Sequence, residues 1–559
     1  MPKNTFASWN SWPFMITTQP TIPATILHST QQQSPLFRLP RELRDLVYQY
    51  YVAEREGYFY DARTRTISSQ SGFTIRLSLP ATCKIAAKEL RGIAFQNNTI
   101  NFKTLCSTDD GGQHLGLRSR AGRLKCLLLY TQIQRIRMVI SVARLLKAED
   151  LAHIHENYPA HSHWFDFPLQ HAIEQQSDHL SGNCTPYDRH EVIGDDEFDN
   201  VLQYALELAK ARDPSEFAAR MSNLYGVGHS PLQKGLGGAW RTLFEEGAFA
   251  ACYTWRPATW SIPDERELES METLLTRPWT LDEQLAVTTP RDVFQDLDAH
   301  KWAQETKWFF SAAAVAIDFL RRLSFRTRQH MRKITLHEDF KAVSRPECHA
   351  EGLIPFCSEN PRLRIERRIG FLSNLLPLAN HHLDRRSEDE IWNFIFGGEC
   401  LEAFVGWVEE VWKLRARGMP TQCFVLVIDG TTSPRESSEA WEFVKYAAAM
   451  QEGMLEYCQR RNISPNPREQ DREITFRSYP LPWHLPARFS QTVRAMINGT
   501  GCIHFTGDTG EAWDGKAFIE ARKDWTVEEW RKEWKKQVLD KCITTPFCGI
   551  VRQRYSHPS

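Results

Sequence analysis

Short β-type runs at residues 334–336, 363–365, 424–428, 474–476 and 503–505 alternate with helical stretches through the C-terminal half of the chain. Strands separated by helices re-enter a sheet in the same direction, so the alternation predicts βα units and a partly parallel sheet. The first two runs lie about one leucine-rich-repeat length apart, but later intervals vary widely and no true repeat array is expected. At 559 residues the chain outgrows a single core, which points to about two to four domains.

Upstream of residue 334 helical periodicity dominates. Residues 123–147 are strongly amphipathic, 197–212 form a helix opened by Asp195 and Asp196, and 302–323 carry another long helix. Pro214, Pro231, Pro257, Pro263, Pro278 and Pro290 break 213–300 into short pieces. Near the C-terminus Thr526 and Glu529 form a capping box ahead of the apolar stripe Val527, Trp530, Trp534 and Val538. Residues 1–34, rich in Thr, Ser, Gln and Pro, show no apolar period and read as a disordered tail. The expected class is α+β, predominantly α-helical. It comprises a helix/hairpin module over 35–105, a helical region over 106–333, an α/β region with short, partly parallel strands over 334–520, and a C-terminal helix and tail over 521–559.

Charge and cysteine usage narrow the function classes. Lys plus Arg number 68 and Asp plus Glu 69, so no global basic field for nucleic acid exists. Thirteen cysteines stand singly without a C-x-x-C pair, which argues against a zinc ribbon or a dithiol redox site and for a reducing compartment. The longest apolar run, 309–320, is broken by Ser311 and Asp318 and falls short of a bilayer span. A cytoplasmic or nuclear protein without membrane attachment is expected.

The N-terminal module is the most sharply written part. Pro40 stands where a helix would start, followed by Leu43, Leu46, Val47 and Tyr50 at the spacing of a buried stripe. Residues 58–68 suggest a hairpin around Asp61-Ala62-Arg63. A second helix begins near Pro80 with Leu79, Cys83, Ala86, Leu90 and Ile93 on one face; Asn97-Asn98 stops it before a strand at 99–102. Each helix carries a Glu-x-Arg motif, Glu42-Leu43-Arg44 and Glu89-Leu90-Arg91. Residues two apart on a helix point about 200° apart, so pairing within a motif is excluded. Pairing between the helices, for instance Glu42 with Arg91, is the expected alternative.

The stretch Phe37-Arg38-Leu39-Pro40-Arg41-Glu42-Leu43-Arg44-Asp45-Leu46-Val47-Tyr48 looks like the opening of fungal F-box-like domains. Together with Thr82-Cys83-Lys84-Ile85-Ala86-Ala87-Lys88-Glu89-Leu90-Arg91 and the strand ending Phe95-Gln96-Asn97-Asn98-Thr99-Ile100-Asn101-Phe102, it more closely resembles the fungal domain named for its two E-x-R motifs. Two further blocks, 334–339 and 346–356, resemble the remainder of ascomycete proteins that carry it. The resemblance covers about one eighth of the chain at the module. It implies a helical interaction module, and F-box proteins bind a Skp1-type adaptor and present substrates for ubiquitination. Leu39, Pro40, Glu42, Leu43, Arg44, Leu46, Glu89 and Arg91 are the candidate module and partner-binding residues.

Other constellations fail on chemistry. Gly510 to Lys516 spaces its glycines like a phosphate loop, but Ala517 stands where a hydroxyl must hold magnesium. Asp429 ends a strand as in haloacid-dehalogenase-type phosphatases, yet Val427 occupies the position of the nucleophile. Gly228-His229-Ser230 begins like a nucleophile elbow and is spoiled by Pro231 and Leu232. His153, His155, His161, His163 and His171, with Asp166, form the densest set of metal donors; an H-x-H pair on a strand shares one side, but Pro159 and the lack of alternation suggest a solvated linker. Arg321, Arg322, Arg326, Arg328, Arg332 and Lys333 crowd one stretch, and Arg362, Arg364, Arg367 and Arg368 another; on one surface they would bind phosphates or an acidic protein.

No catalytic residue, metal ligand or cofactor site is assigned. The favoured reading is a non-enzymatic protein-interaction protein, in its sharper form a substrate-recognition subunit docking a Skp1-type adaptor. The rivals are an enzyme of unrecognised class assembled only by the fold, and a local binder of nucleic acid or acidic partners through the arginine clusters.

Overall fold

The computed structural model describes residues 34–545 apart from 74, 76–77, 107–117, 159–195, 224–247, 275–306, 376–382, 385–391 and 464–480. The tail expected at the N-terminus, all but its last residue, and the run at 474–476 lie outside the described residues.

Seven strands form the principal sheet: β1 Tyr58–Asp61, β2 Thr66–Ser69, β3 Thr99–Lys103, β4 Lys333–Glu338, β5 Arg364–Gly370, β6 Phe424–Asp429 and β7 Ile503–Phe505, in the spatial order β2-β1-β3-β4-β5-β6-β7. Only the β1–β2 hairpin is antiparallel; every other pairing is parallel. From β3 onward the strands follow one another in space as they do in sequence. Right-handed crossovers that step in one direction leave their helices on one face, and that is where the core lies. Helices α1 Arg41–Val52, α2 Lys84–Glu89, α3 Ile93–Asn97, α4 Arg120–Val142, α5 Asp196–Arg212, α6 Ala312–Arg322, α7 Gly397–Ala416, α8 Pro434–Arg460 and α9 Val527–Trp534 are the principal helices among the described residues.

Register explains the core. Ile100, Ile334, Ile365 and Phe424 lie side by side across β3 to β6, and Phe102, Leu336, Arg367, Leu426 and Ile503 form the next rung. These residues are buried against α6, α7 and α8. Their period-two neighbours Lys103, Thr335, His337, Glu366, Arg368 and His504 occupy the opposite, open face. The sheet thus behaves as half of a two-layer sandwich, with alternation intact on nearly every strand.

The sheet crosses the boundaries expected near 105 and 334, because β3 of the N-terminal module pairs directly with β4. The helical region is an excursion between these two strands with a core of its own. There α4, α5 and the helices Ala148–Asn157, Pro214–Asn223, Ala248–Thr254 and Glu265–Leu274 bury Leu124, Leu127, Val139, Val201, Leu206 and Leu268. Arginines tie it together: Arg123 forks onto Glu272 at 2.7 Å and reaches Glu265, Arg135 meets Asp199 at 2.6 Å, and Arg212 meets Asp150 at 2.7 Å.

One helix starts later than periodicity suggests. Of the helix expected over 302–323, residues 302–306 lie outside the described residues; beyond them Phe309–Phe310 pairs as a short strand with Leu105–Cys106, and the hydroxyl of Ser311 accepts from the Ala314 amide and opens α6 at Ala312. A serine that interrupts an apolar run is here its N-cap. The C-terminal helix follows its capping box as expected, with Trp530, Trp534 and Val538 buried.

The unusual element of the core is Arg367, fully buried on the inner rung of β5. All five of its N–H groups are used. Nε and Nη2 donate to Glu338 Oε1 at 2.9 and 2.7 Å, Nη1 donates to both Glu410 oxygens at 2.7 Å, and Nη2 also reaches the Pro346 carbonyl at 2.7 Å. The guanidinium lies 4.5 Å over the Trp407 ring. Glu338 also accepts from the Ala312 and Ala313 amides, and Glu410 from the Ala350 amide. Burial pushes the Glu410 carboxyl up to about 8 against the lowering pull of Arg367, and the nearby Glu338 adds slightly to the rise. Removing the cation leaves both acids unanswered, so Arg367→Met should destabilise the fold by about 3–5 kcal/mol in urea unfolding. Glu410→Gln, which removes the surplus charge and keeps a carbonyl toward Arg367, should cost clearly less.

Candidate protein-docking surface

Pro40 is the N-cap of helix α1, and its carbonyl accepts from the Arg44 amide. Its apolar residues share a face as the spacing predicts, but that face is not buried. Leu43, Leu46, Val47 and Tyr50 are 46%, 49%, 41% and 81% exposed. Periodicity shows that apolar residues share a side and says nothing of what covers them. The buried side is instead Tyr48 and Val52, which pack with Ala86, Leu90 and Ile93 and with the flanking Leu36, Phe37, Leu79 and Cys83. The stripe expected on the second helix is the one found, although the helix is shorter and split. It ends at Glu89, and α3 resumes after Gly92, whose φ of +78° only glycine adopts freely.

The two Glu-x-Arg motifs meet across the helices in one crossed pair. Arg44 forks onto Glu89, Nε to Oε2 at 3.0 Å and Nη2 to Oε1 at 2.7 Å, and its Nη1 donates to the Leu39 carbonyl at 2.6 Å. The Tyr48 hydroxyl donates to Glu89 Oε2 at 2.8 Å, and Arg41 stands 3.1 Å from Oε1. Hydrogen bonds from Arg44 and then Tyr48 hold the Glu89 carboxyl below its usual range. Burial, helped by that carboxylate, pushes the Tyr48 phenol up to about 12. The expected partners Glu42 and Arg91 do not pair with each other; both are exposed, and Arg91 lies in the turn after α2. Asn98 completes the join, donating to the Val52 and Ala94 carbonyls and accepting from the Glu54 amide.

Of the eight strongly exposed large apolar side chains among the described residues, four sit on this one helix. Scattered exposed apolar residues need no explanation, whereas four on one face of one helix make a contiguous apolar stripe. Val47 and Tyr50 belong to it although the motif alone did not single them out. Their signal was the helical spacing, read as core.

The basic-patch candidates divide. Arg322 is paired with Asp318 and Arg328 with Glu359, both as two-point forks, while Arg321, Arg326 and Lys333 are exposed. Arg332 donates to the carbonyls of Gln329 and Met331. Arg367 belongs to the core.

The remaining motifs resolve into structure. The Asp514 carboxylate accepts from the Lys516 and Ala517 amides, filling the place a phosphate would take. Asp429 accepts from Thr431 and Thr506 in a turn. His153 and His155 stand on the helix Ala148–Asn157, not on a strand, so they point apart; His161, His163, Asp166 and His171, like Gly228-His229-Ser230, lie outside the described residues. The nearest approach to a catalytic pair is Ser311, whose Oγ is 2.6 Å from His349 Nδ1 while Nε2 lies 2.7 Å from the Ser344 carbonyl. Both residues are fully enclosed, burial drives the imidazole down to about 3, and Ser311 is occupied as the cap of α6, so this pair fixes a helix start.

No helix among the described residues is long and apolar enough to cross a membrane. Comparison with family models, with curated proteins and with solved structures yields no match to the chain.

The crossed pair gives a signed pH dependence. A carboxyl held below its usual value of 4.5 stabilises the folded module above that value and loses the contribution as pH falls through its lowered value. The protection of the α1 amides, taken relative to their intrinsic exchange rate at each pH, should therefore fall in acid for the native chain, whereas Glu89→Gln should show low protection already at neutral pH. In a double-mutant cycle with Arg44→Gln the effects should be strongly non-additive; additive losses would rule out the coupling.

Proposed function

We propose that the chain is a non-enzymatic protein-interaction protein in which α1 docks a Skp1-type adaptor and the sheet-and-helix body carries a client, as a substrate-recognition subunit for ubiquitination does. The exposed stripe Leu43, Leu46, Val47 and Tyr50 carries this reading. It supplies anchors at i, i+3, i+4 and i+7, the spacing with which a helix fills a hydrophobic groove. Arg44, Glu89 and Tyr48 fix the helix from behind, so little ordering remains to be done on binding. The resemblance of 37–48 and 82–102 to F-box-like domains names the kind of adaptor.

The test is co-purification of the full chain with a Skp1-type adaptor. Leu46→Asp should abolish capture while leaving the melting curve unchanged, since the side chain makes little use of the core. Native protein that never captures the adaptor, or a Leu46→Asp variant that captures it as well as the native chain, would reject the reading.

A further inference from the structure

The chain answers its arginines with care: Arg44, Arg123, Arg135, Arg212, Arg328 and Arg367 each meet at least one carboxylate. Among the described residues, arginines without a carboxylate also occur singly elsewhere, as at Arg321, Arg326 and Arg488, but several stand together at the amino-terminal edge of the parallel sheet. Register puts Thr99, Lys333 and Arg364 side by side where β3, β4 and β5 begin. Arg332 immediately precedes Lys333, and its carbonyl accepts from the Arg364 amide at 2.8 Å. Arg362 is close enough to Arg332 to disfavour its charge, second only to burial. On the other side His330 packs against Gly92, where an added Cβ would fall 2.3 Å from the ring, and its Nδ1 lies 3.0 Å from Gln96 Nε2. Burial first, then the charges of Arg332 and Arg91, push the His330 imidazole down. Among the described residues no carboxylate comes within ion-pair distance of Arg91, Arg332, Lys333, Arg362 or Arg364.

Five permanent cations from three chain segments are thus assembled against their mutual repulsion in a protein whose net charge is −1. We propose that this edge is the docking surface for an acidic, extended segment of a protein partner. Two of its forks are already set: Arg332 is held by the Gln329 and Met331 carbonyls, and Arg364 by those of Pro361 and Leu363 and by Gln422. Pre-set guanidinium planes lose little freedom when they grip a carboxylate. The scale also fits a peptide. Neighbouring strand starts are about 4.8 Å apart, and same-side residues of an extended chain are about 7 Å apart, so a short acidic stretch spans the edge. A nucleic acid would call for a longer basic track interleaved with stacking aromatics, whereas these five cations are Arg and Lys with a single histidine ring beside them, packed against Gly92. The surface is separate from the α1 stripe and stands whether or not that helix binds an adaptor.

The test is fluorescence anisotropy of the full chain with a fluorescein-labelled decapeptide of alternating Asp and Ser. Binding is expected that weakens roughly tenfold or more in the double variant Lys333→Glu, Arg362→Glu and on raising salt from about 50 to about 200 mM. Both substituted side chains are exposed and unpaired, so the melting curve should not move, and Leu46→Asp should bind the peptide like the native chain. The proposal is overturned if the Asn-Ser counterpart binds equally well, if charge reversal leaves affinity unchanged, or if a single-stranded oligonucleotide of equal charge binds far more tightly than the peptide.

Discussion

A guanidinium placed on the hydrophobic rung of a parallel sheet has to be answered at every N–H, and at Arg367 the answers come from distant parts of the chain. Glu338 ends β4, Glu410 lies on α7, and the Pro346 carbonyl belongs to the turn between β4 and β5. None of these can shift alone without stranding a charge in a medium that solvates it poorly. Because Glu338 also caps α6 and Glu410 holds the Ala350 amide, the same network sets where the first crossover helix starts and how the second lies on the sheet. A leucine at this rung would match its neighbours Leu336 and Leu426 in kind. It would carry no instruction about which helix belongs where. In an array of unequal βα units, which no repeat holds in register, that instruction fixes the order of packing.

The N-terminal module applies the same chemistry at its margin. Arg44 and Glu89 join two helices that are each too short to persist alone, and Tyr48 and Asn98 close the joint. The lock lies on one side of α1 and the apolar stripe on the other, so the residues that position the helix are not those that would be buried by a partner. A helix whose exposed face is more apolar than its anchored one is paradoxical for an isolated domain and natural for half of an interface.

Much of the fold was legible because it depends on local pattern. The strands at 334–336, 363–365, 424–428 and 503–505, the hairpin near Asp61, the capping box at Thr526 and the face Leu79, Cys83, Ala86, Leu90 and Ile93 all follow from period and cap chemistry. What was not legible depends on partners far away in sequence. Arg367 falls in phase with Leu363, Ile365 and Ile369, as Arg364 and Arg368 do not, but alternation names no partner for it, and Glu338 and Glu410 come from other segments. The sides of α1 were misassigned for the same reason: its more polar side became the inner one because Glu89 and Asn98 supply polar partners there. Ser311 read as a flaw in an apolar run because capping and interruption look alike until the helix start is known. The join between β3 and β4 spans an excursion of more than two hundred residues (103 to 333), beyond the reach of any periodicity.

The second Glu-x-Arg motif brings these strands together. Glu89 closes α2 and turns inward to Arg44, and the chain then reverses at Gly92 so that Arg91 is left on the far side, among the cations at the start of β4 and β5. Glu89 and Arg91, two apart in the chain, thus face different parts of the structure. One residue serves the joint behind the apolar stripe, and the other adds charge to the basic edge, with Gly92 packed on His330 to hold the two arrangements at a fixed relation. The short turn at Gly92 is thus where the chain passes from the joint behind α1 to the start of the parallel strands.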